Sequence, residues 1–307
     1  MLVIGKPGGL TLTERRSILR RVPFGRSYGD PADPALILLM GNTMPGGFWP
    51  PEFCVGLVAT GLYVTEYDYR DVGGSTLGAF AQQPYDLLDL ADDVRAVADA
   101  LGRDRVHLAG LSMGGFLSLL TALRHPDRVA SVTSMMSTAD YTVLLDATLH
   151  GCEPRNPMFP PPRADWAAAV AAVPVDQPYP QLLAAAFRLA GGSRGDGDEA
   201  YWLAEIARVT DSPETTLVFD HKLAADRTDP AWLNLVPGLG ELAVPVQVIQ
   251  GADDPIFPPP TGRLTADAIP HATLLTVDGM GHMLEPAFFA LLTEALSAHI
   301  TRAIRRA

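Results

Sequence analysis

A glycine-rich turn between an apolar strand and an apolar helix constrains the fold of this chain more than any other segment. Residues 106–109 have the composition of a buried strand, and Gly110-Leu111-Ser112-Met113-Gly114-Gly115 follows, opening an apolar helix. A Gly-x-Ser-x-Gly sequence in this context forms a tight turn that exposes the serine hydroxyl. Gly110 and Gly114 leave room for the strand and helix to pack closely. We therefore predict that Ser112 is an exposed nucleophile.

Short apolar runs and helical patterns alternate on both sides of this turn. The predicted strands are residues 35–40, 63–67, 106–109, 129–136, 246–250 and 273–277. Such alternation with short connections is typical of a mostly parallel sheet flanked by helices. Between residues 137 and 240 it is replaced by a Pro-rich stretch and Ala-rich helical patterns. We predict an α/β fold with a core domain of residues 1–136 and 241–307 and a helical cap insertion of residues 137–240.

Two further segments have a predicted role in this architecture. Residues 86–101 show apolar side chains at helical spacing, and we interpret the acidic residues between them, including Asp93, as a solvated face. The glycine-rich residues 191–199 are predicted to form a flexible connection between two helices of the cap.

A nucleophilic serine needs a base and an acid that orients the base, which follow in the order Ser, Asp or Glu, His in this architecture. Asp253 and Asp254 follow the strand at 246–250, and His282 follows the strand at 273–277 in a glycine-containing loop. Both groups lie just after a strand, at the sheet edge where open α/β sheets bind ligands. We predict His282 as the base. Asp253 and Asp254 compete for the role of the acid, and we favour Asp254 because it directly precedes Pro255.

The negative charge that develops during acyl transfer requires backbone donors near the serine. In this architecture one donor is the N–H group after the nucleophile, here Met113. The other belongs to the loop after the first buried strand, here Gly41-Asn42-Thr43, and we predict the backbone N–H of Asn42. A simple strand-to-loop turn is the alternative interpretation of the Gly-Asn pair.

Composition excludes several classes of partner. The chain has 23 Lys and Arg against 35 Asp and Glu, a net charge of −12, which is opposite to the basic surface that nucleic acids require. Cys54 and Cys152 are far apart, with no metal-binding spacing, and suit a reducing compartment. The sequence shows neither a signal peptide nor an apolar run of 18 residues. We expect a cytoplasmic protein that binds neither nucleic acid nor membrane and holds no metal.

The motifs together resemble those of the α/β-hydrolase superfamily. Residues 28–35, Met40-Gly41-Asn42, Trp49-Pro50 and residues 67–76 are similar to the aclacinomycin methylesterase group, esterases that act on anthracycline polyketides. This resemblance covers roughly residues 28–136 and 243–299. It implies Ser112, Asp254 and His282 as the catalytic triad and Met113 with Asn42 as the oxyanion donors. Asn42 departs from the glycine of the family, and the insertion matches poorly, so the particular ester does not carry over.

The substrate pocket is expected between the carboxyl edge of the sheet and the cap. Its candidate wall residues are large and apolar or aromatic: Trp49, Met135, Met136, Tyr141, Trp166, Phe187, Trp202, Phe219, Phe257 and Met283. Of these we predict Trp49, Met136, Tyr141, Phe257 and Met283 as substrate-binding. A cap rich in aromatic residues and alanine, and poor in Lys and Arg, suits a flat apolar substrate.

These observations predict a serine esterase that hydrolyses a methyl or small ester of a bulky apolar, polyketide-like metabolite, without a cofactor. A non-hydrolytic enzyme on the same scaffold, such as an acyltransferase, lyase or cyclase, is the alternative, because fold does not determine function. A non-catalytic binding protein is a third interpretation, against which the complete triad argues. The sequence leaves the exact substrate and the oligomeric state open.

Overall fold

An eight-stranded, mostly parallel sheet forms the centre of the molecule. The computed structural model describes residues 3–4, 24–75, 80–210 and 220–306. The strands are β1 Val3–Ile4, β2 Phe24–Tyr28, β3 Ala35–Leu39, β4 Tyr63–Tyr67, β5 Val106–Leu111, β6 Val129–Met135, β7 Val246–Gly251 and β8 Thr273–Val277. Their order across the sheet is β1-β2-β4-β3-β5-β6-β7-β8, and β2 with β4 is the antiparallel pair. The predicted α/β class is confirmed. The sequence analysis missed β1 and β2.

Helices cover both faces of the sheet. They are α1 Pro51–Val58, α2 Leu87–Ala100, α3 Met113–Arg124, α4 Thr142–Leu145, α5 Ala164–Ala171, α6 Tyr179–Ala190, α7 Glu199–Thr210, α8 Lys222–Arg227, α9 Val236–Leu239, α10 Pro260–Asp267 and α11 Phe289–Ile304. Strand β3 shows the layering: Ile37 and Leu39 pack with α2 and α3 on one face, and Leu36 and Leu38 with α1 and α11 on the other. Burial on both faces explains why β3 is a continuous apolar run.

Helix α2 begins with a capping box and carries a buried carboxylate on its predicted solvated face. The carboxylate of Asp86 accepts the N–H groups of Leu88 and Asp89 at 2.9 and 3.0 Å, which forms a capping box with Asp89. Asp93 is buried and pairs with the guanidinium of Arg70 at 2.6 and 2.9 Å. The prediction of a solvated face is therefore wrong for Asp93. Sequence spacing on one helix could not reveal a partner on a distant loop.

Residues 137–240 leave and re-enter the sheet domain at one point. Asp140 and Asn234 form an isolated antiparallel bridge, and Tyr141 N–H donates to the Leu233 carbonyl at 2.8 Å. Between these residues the described chain contains helices α4 to α8. Helices α5, α6 and α7 pack in sequence, with α6 between the other two. We call residues 137–240 the insertion below.

The carboxyl-terminal helix belongs to the core. By length and composition, residues 286–304 could cross a membrane, a property shared by buried helices of soluble proteins. In α11, Leu292, Leu296 and Ile300 are buried, and the helix packs against α1 and β6. We therefore interpret α11 as a core helix of the sheet domain.

Candidate active site

Ser112 lies in a strained turn between β5 and α3. Its backbone angles are φ 57° and ψ −120°, a left-handed φ that non-glycine residues seldom adopt. A Cβ at Gly110 would collide with the Gly114 carbonyl, and a Cβ at Gly114 would collide with the Leu39 carbonyl. Both glycines are therefore required by the close approach of strand and helix, as the sequence predicted. The turn places Ser112 on the wall of a cavity at the carboxyl edge of the sheet.

Asp254 is fully buried and held in one orientation. Its Oδ1 accepts the backbone N–H groups of Ile256 at 2.8 Å and Phe257 at 3.0 Å. Its Oδ2 lies 3.0 Å from Nδ1 of His282. Because an ionised carboxylate only accepts hydrogen bonds, the proton of the neutral imidazole is on Nδ1, which leaves Nε2 as the basic nitrogen.

Asp253 faces the other way from Asp254. Its Oδ2 accepts the backbone N–H of Ser193, in the insertion, at 2.8 Å. Hydrogen bonding by Ser193 lowers the pKa of Asp253. Asp253 therefore stabilises a loop contact, whereas Asp254 contacts the imidazole. The geometry favours Asp254 of the two candidates that the sequence offered.

His282 is held by a loop that contacts the insertion at close range. Its backbone N–H donates to the carbonyl of Ala190, the last residue of α6, at 2.7 Å. A Cβ at Gly281 would collide with that same carbonyl, and Gly279 adopts φ 71°. The two glycines thus permit the sharp loop that the sequence predicted. Within the described chain, His282 is the histidine that lines the cavity.

The glycine-rich segment between α6 and α7 is bound to the His282 loop. Arg194 N–H donates to the Gly279 carbonyl at 3.0 Å, and Gly197 N–H donates to Oε1 of Glu285 at 3.0 Å. A Cβ at Gly192 would collide with the backbone of this loop. The segment connects two helices as expected, but it packs closely rather than hanging free. Glu285, a buried carboxylate whose pKa is raised by burial, was not singled out in the sequence.

The loop after β3 lies beside the nucleophile. A Cβ at Gly41 would be 3.5 Å from the Cβ of Ser112, which is van der Waals contact. Asn42 lines the cavity with Ser112 and His282. Met113 is the first residue of α3, where backbone N–H groups lack an intrahelical acceptor. The two predicted oxyanion donors therefore flank the serine, on a loop and on a helix start.

The cavity beside Ser112 has a volume of about 280 Å³ and a mainly apolar wall. Among the predicted wall residues, the structure places these on it: Tyr141, Trp166, Phe187, Trp202 and Met283. Other large apolar residues line it without having been predicted, among them Met44, Phe48, Leu144 and Tyr201. Their helix or loop positions carry no signal of which face meets the cavity.

Four other predicted wall residues are packed in the core and do not line this cavity. Trp49 is buried and stacks on Phe53 with ring centroids 5.8 Å apart. Met135 and Met136 are fully buried at the end of β6. Phe257 packs beneath the His282 ring, with centroids 5.7 Å apart. These large apolar side chains near the sheet edge contribute to core packing. Phe219, the remaining predicted wall residue, lies outside the described residues.

Two charged residues of the insertion also reach the cavity. Glu205 pairs with Arg208 at 2.6 Å, and Lys222 lies 3.5 Å from Asp220. Each is neutralised by a neighbour on its own segment. The cavity therefore combines an apolar wall with paired charges.

Within the described residues, one group of side chains has the spacing of metal ligands. Asp146, His150 and Cys152 lie close together in the insertion, on a π-helical turn and the loop after it. The guanidinium of Arg155 already contacts Asp146 at 2.8 Å. A permanent cation thus fills the position beside the buried carboxylate. None of these three side chains lines the cavity beside Ser112.

The fold and this site are those of an α/β hydrolase, and comparison with known proteins agrees. The family model described as alpha/beta hydrolase fold matches residues 34–284, so the chain belongs to the α/β-hydrolase family. It is 32% identical over 287 residues to rhodomycin D methylesterase DauP of Streptomyces sp. strain C5, covering 91% of this chain and 95% of that protein. Rhodomycin D methylesterase DnrP of Streptomyces peucetius matches with the same identity and coverage.

A solved structure supports the same fold. BpoC of Mycobacterium tuberculosis H37Rv superposes with a TM-score of 0.66 and 21% identity, covering 92% of this chain and 96% of that one. The predicted family resemblance is confirmed, and the chain is a carboxylic ester hydrolase. The similarity to the methylesterases also extends over 91% of the chain, more than the two core stretches to which the motifs confined it.

Proposed function

We propose that this chain is a serine esterase that hydrolyses a methyl or similar small ester of a bulky, apolar, polyketide-like metabolite. The observation that carries the proposal is the meeting of Ser112 with the buried Asp254–His282 pair at one apolar cavity. The methylesterases DauP and DnrP, named for rhodomycin D, support an ester of this kind.

The proposal gives each group a role in the first half of the reaction. Nε2 of His282 takes the proton of the Ser112 hydroxyl as the oxygen attacks the ester carbonyl. Asp254 holds the imidazole through Nδ1 and stabilises the imidazolium that forms. The N–H groups of Met113 and Asn42 bind the oxyanion. Collapse of the tetrahedral intermediate returns the proton to the leaving alcohol and leaves an acyl-serine.

The second half repeats these roles with water. His282 removes a proton from a water molecule that attacks the acyl-serine, and then returns the proton to Ser112. The product is a carboxylic acid with one oxygen from solvent. None of these steps requires a metal or an organic cofactor.

The free cysteines and the net charge of the chain support cytoplasmic action on a small molecule. Cys54 is buried and Cys152 is exposed, and both are free thiols. Free thiols persist in reducing compartments. With a net charge of −12, the chain also suits neither nucleic acid nor an anionic membrane surface as a partner.

Product analysis in oxygen-18 water tests the proposal. The substrate is the methyl ester of a fused tricyclic aromatic acid, which matches the apolar cavity. We expect methanol release and one labelled oxygen in the product acid. Methanol release without label would indicate acyl transfer to another acceptor, and conversion with neither methanol nor label would indicate a lyase or cyclase on this scaffold. Either outcome would contradict the proposal.

The matched control is Ser112→Ala. We expect turnover to fall by roughly 10⁴- to 10⁶-fold, as in other serine hydrolases that lose the nucleophile. Alanine occupies the same backbone conformation at no greater steric cost than serine, so the unfolding midpoint should be unchanged. A folded variant with near-normal turnover would eliminate covalent serine catalysis.

A further inference from the structure

The loop that carries Asn42 is not self-supporting. Thr43 adopts φ 65°, a strained value for a β-branched residue. The loop's own backbone supplies the Met44 N–H to Gly41 carbonyl hydrogen bond, which is 3.3 Å long. Strained backbone persists where surrounding structure holds it in place. Contacts on either side of Gly41 provide this support.

One contact fixes the residue before Gly41. The hydroxyl of Tyr69, which is buried after β4, donates to the Met40 carbonyl at 2.9 Å. A hydrogen bond to this carbonyl restricts the peptide plane that leads into Gly41. Tyr69 therefore holds the loop from the side of the sheet.

The other contact fixes the residue after Gly41. Nδ2 of Asn42 donates to Oδ1 of Asp220 at 2.8 Å, across 178 positions of sequence. A carboxylate only accepts, so this partner determines the orientation of the Asn42 amide. Glycine at position 42, as in the resembling family, could not make this bond.

Asp220 is itself anchored to the sheet domain. The next residue, His221, is buried, and its Nε2 donates to the Arg70 carbonyl at 2.8 Å. The His221 ring also meets the Tyr69 ring edge to face, with centroids 5.5 Å apart. Asp220 further accepts the Lys222 N–H at 3.0 Å. Tyr69 and Asp220 thus belong to one packed unit that touches the loop on both sides.

We propose that Asp220 and Tyr69 are positioning residues that hold the backbone N–H of Asn42 where the oxyanion forms. The inference rests on the proposed serine mechanism. Neither side chain reaches the reacting atoms, and each acts through the loop backbone. Asn42 is thereby a side-chain clamp as well as a backbone donor, which gives its identity a purpose.

The main test is Asp220→Ala measured with a small activated ester. We expect kcat to fall about 10- to 100-fold, because misplacing one oxyanion donor acts on the transition state. KM should change less than about two-fold, since the bound ester does not yet carry the charge. Asp220→Asn should restore most of kcat, because its side-chain oxygen can still accept from Asn42. Tyr69→Phe should lower kcat in the same way through Met40.

A transition-state mimic separates positioning from general damage. A trifluoromethyl ketone forms a tetrahedral oxyanion on the serine, so its affinity should fall by the same factor as kcat in Asp220→Ala. The affinity for the product acid should stay within about two-fold. Asp226→Ala, which removes an exposed carboxylate that contacts His150, is the control and should match the wild type. An Asp220→Ala enzyme with normal kcat and inhibitor affinity would overturn the inference.

A double-mutant cycle tests whether Asp220 acts on kcat through Asn42 or by another route. If Asp220 acts through Asn42, then Asn42→Ala and Asp220→Ala should each lower kcat, and the double variant should lose no more than the larger single loss. Multiplied losses would show that Asp220 acts elsewhere.

Labelling of Ser112 by a fluorophosphonate distinguishes the two proposals. A wild type that is not labelled would refute the serine mechanism, whereas a labelled Asp220→Ala enzyme with normal kcat would refute the clamp alone.

Discussion

Helix α3 has ten of its twelve residues buried, whereas none of the eight residues of α5 is buried. Helix α3 begins directly after Ser112, and α5 presents Trp166 to the same cavity from the insertion. Dense packing determines where the nucleophile lies, because any displacement of α3 would disturb the core. Helix α5, on the wall opposite, contributes no buried residue. We therefore propose that the sheet domain carries the chemistry and that the insertion selects the substrate.

Two adjacent acids give the largest test of this comparison. Asp254→Asn, at the acid that contacts His282, should lower kcat about 10⁴-fold, because the amide would present the wrong hydrogen-bonding pattern to the imidazole. Asp253→Asn should lower it less than about three-fold, since Asp253 contacts the insertion. Steady-state kinetics of both variants measure this difference. Exchanged outcomes would assign the acid to Asp253.

Two glycines test the packing around the nucleophile. Gly114→Ala should reduce the free energy of unfolding by about 3 kcal/mol, because its Cβ would collide with the end of β3. Gly240→Ala, in open space at φ −61°, should stay within about 0.5 kcal/mol of the wild type. Urea unfolding measures both. Equal stabilities would mean that the turn at Ser112 tolerates a larger separation of strand and helix.

Trp166→Ala tests substrate choice by the insertion. We expect kcat/KM for the tricyclic methyl ester to fall about ten-fold, or about 1.4 kcal/mol, through lost apolar contact. For p-nitrophenyl acetate the change should be less than two-fold. Trp232→Ala, at another insertion residue that does not line the cavity, is the matched control. Equal losses on both esters would place Trp166 in the chemistry instead.

The smallest expected effect concerns buried histidines, which occur both in the insertion and in the sheet domain. Burial lowers the pKa of His221, in the insertion, and of His107, in β5, to about 4 in each case. Below pH 6.5 the unfolded chain binds a proton at each histidine, while the folded chain does not until about pH 4. Each histidine therefore stabilises the fold less as the pH falls.

The stability difference between the wild type and His221→Gln should consequently narrow by about 1 kcal/mol from pH 7.5 to 5.5. His107→Gln should behave alike. Urea unfolding at the two pH values measures the change. A difference that stays constant with pH would show that the histidine titrates equally in the folded and unfolded chains.

The sequence predicted most of the sheet from local patterns. Strands β3 to β8 were each located to within two residues, because short stretches rich in apolar or β-branched residues alternate with helical patterns, and this holds even for the partly exposed edge strand β8. Strand β2, Phe24–Tyr28, was missed since its Gly-Arg-Ser interior lacks that pattern. It is recognisable from its antiparallel pairing with β4, which is a long-range contact.

The same distinction applies to the site. Ser112 and His282 stand in local motifs that require their turns, and the structure brings both to one cavity. Trp49 and Phe257 were predicted as wall residues from size and apolarity, which a core position satisfies equally. Asp220 carried no signal at all, because its significance lies in one hydrogen bond to a loop 178 positions away.

The bridge between Asp140 and Asn234 has a consequence for how such enzymes diversify. Because the insertion departs and returns through adjacent backbone, its two ends are already joined by Tyr141 to Leu233 and by Leu235 to Ala139 hydrogen bonds. The segment between these ends can change in length and sequence while the sheet remains closed. Related enzymes can therefore differ in the insertion while the backbone at the Asp140–Asn234 bridge stays the same. A protein engineer can replace the insertion at the same two points.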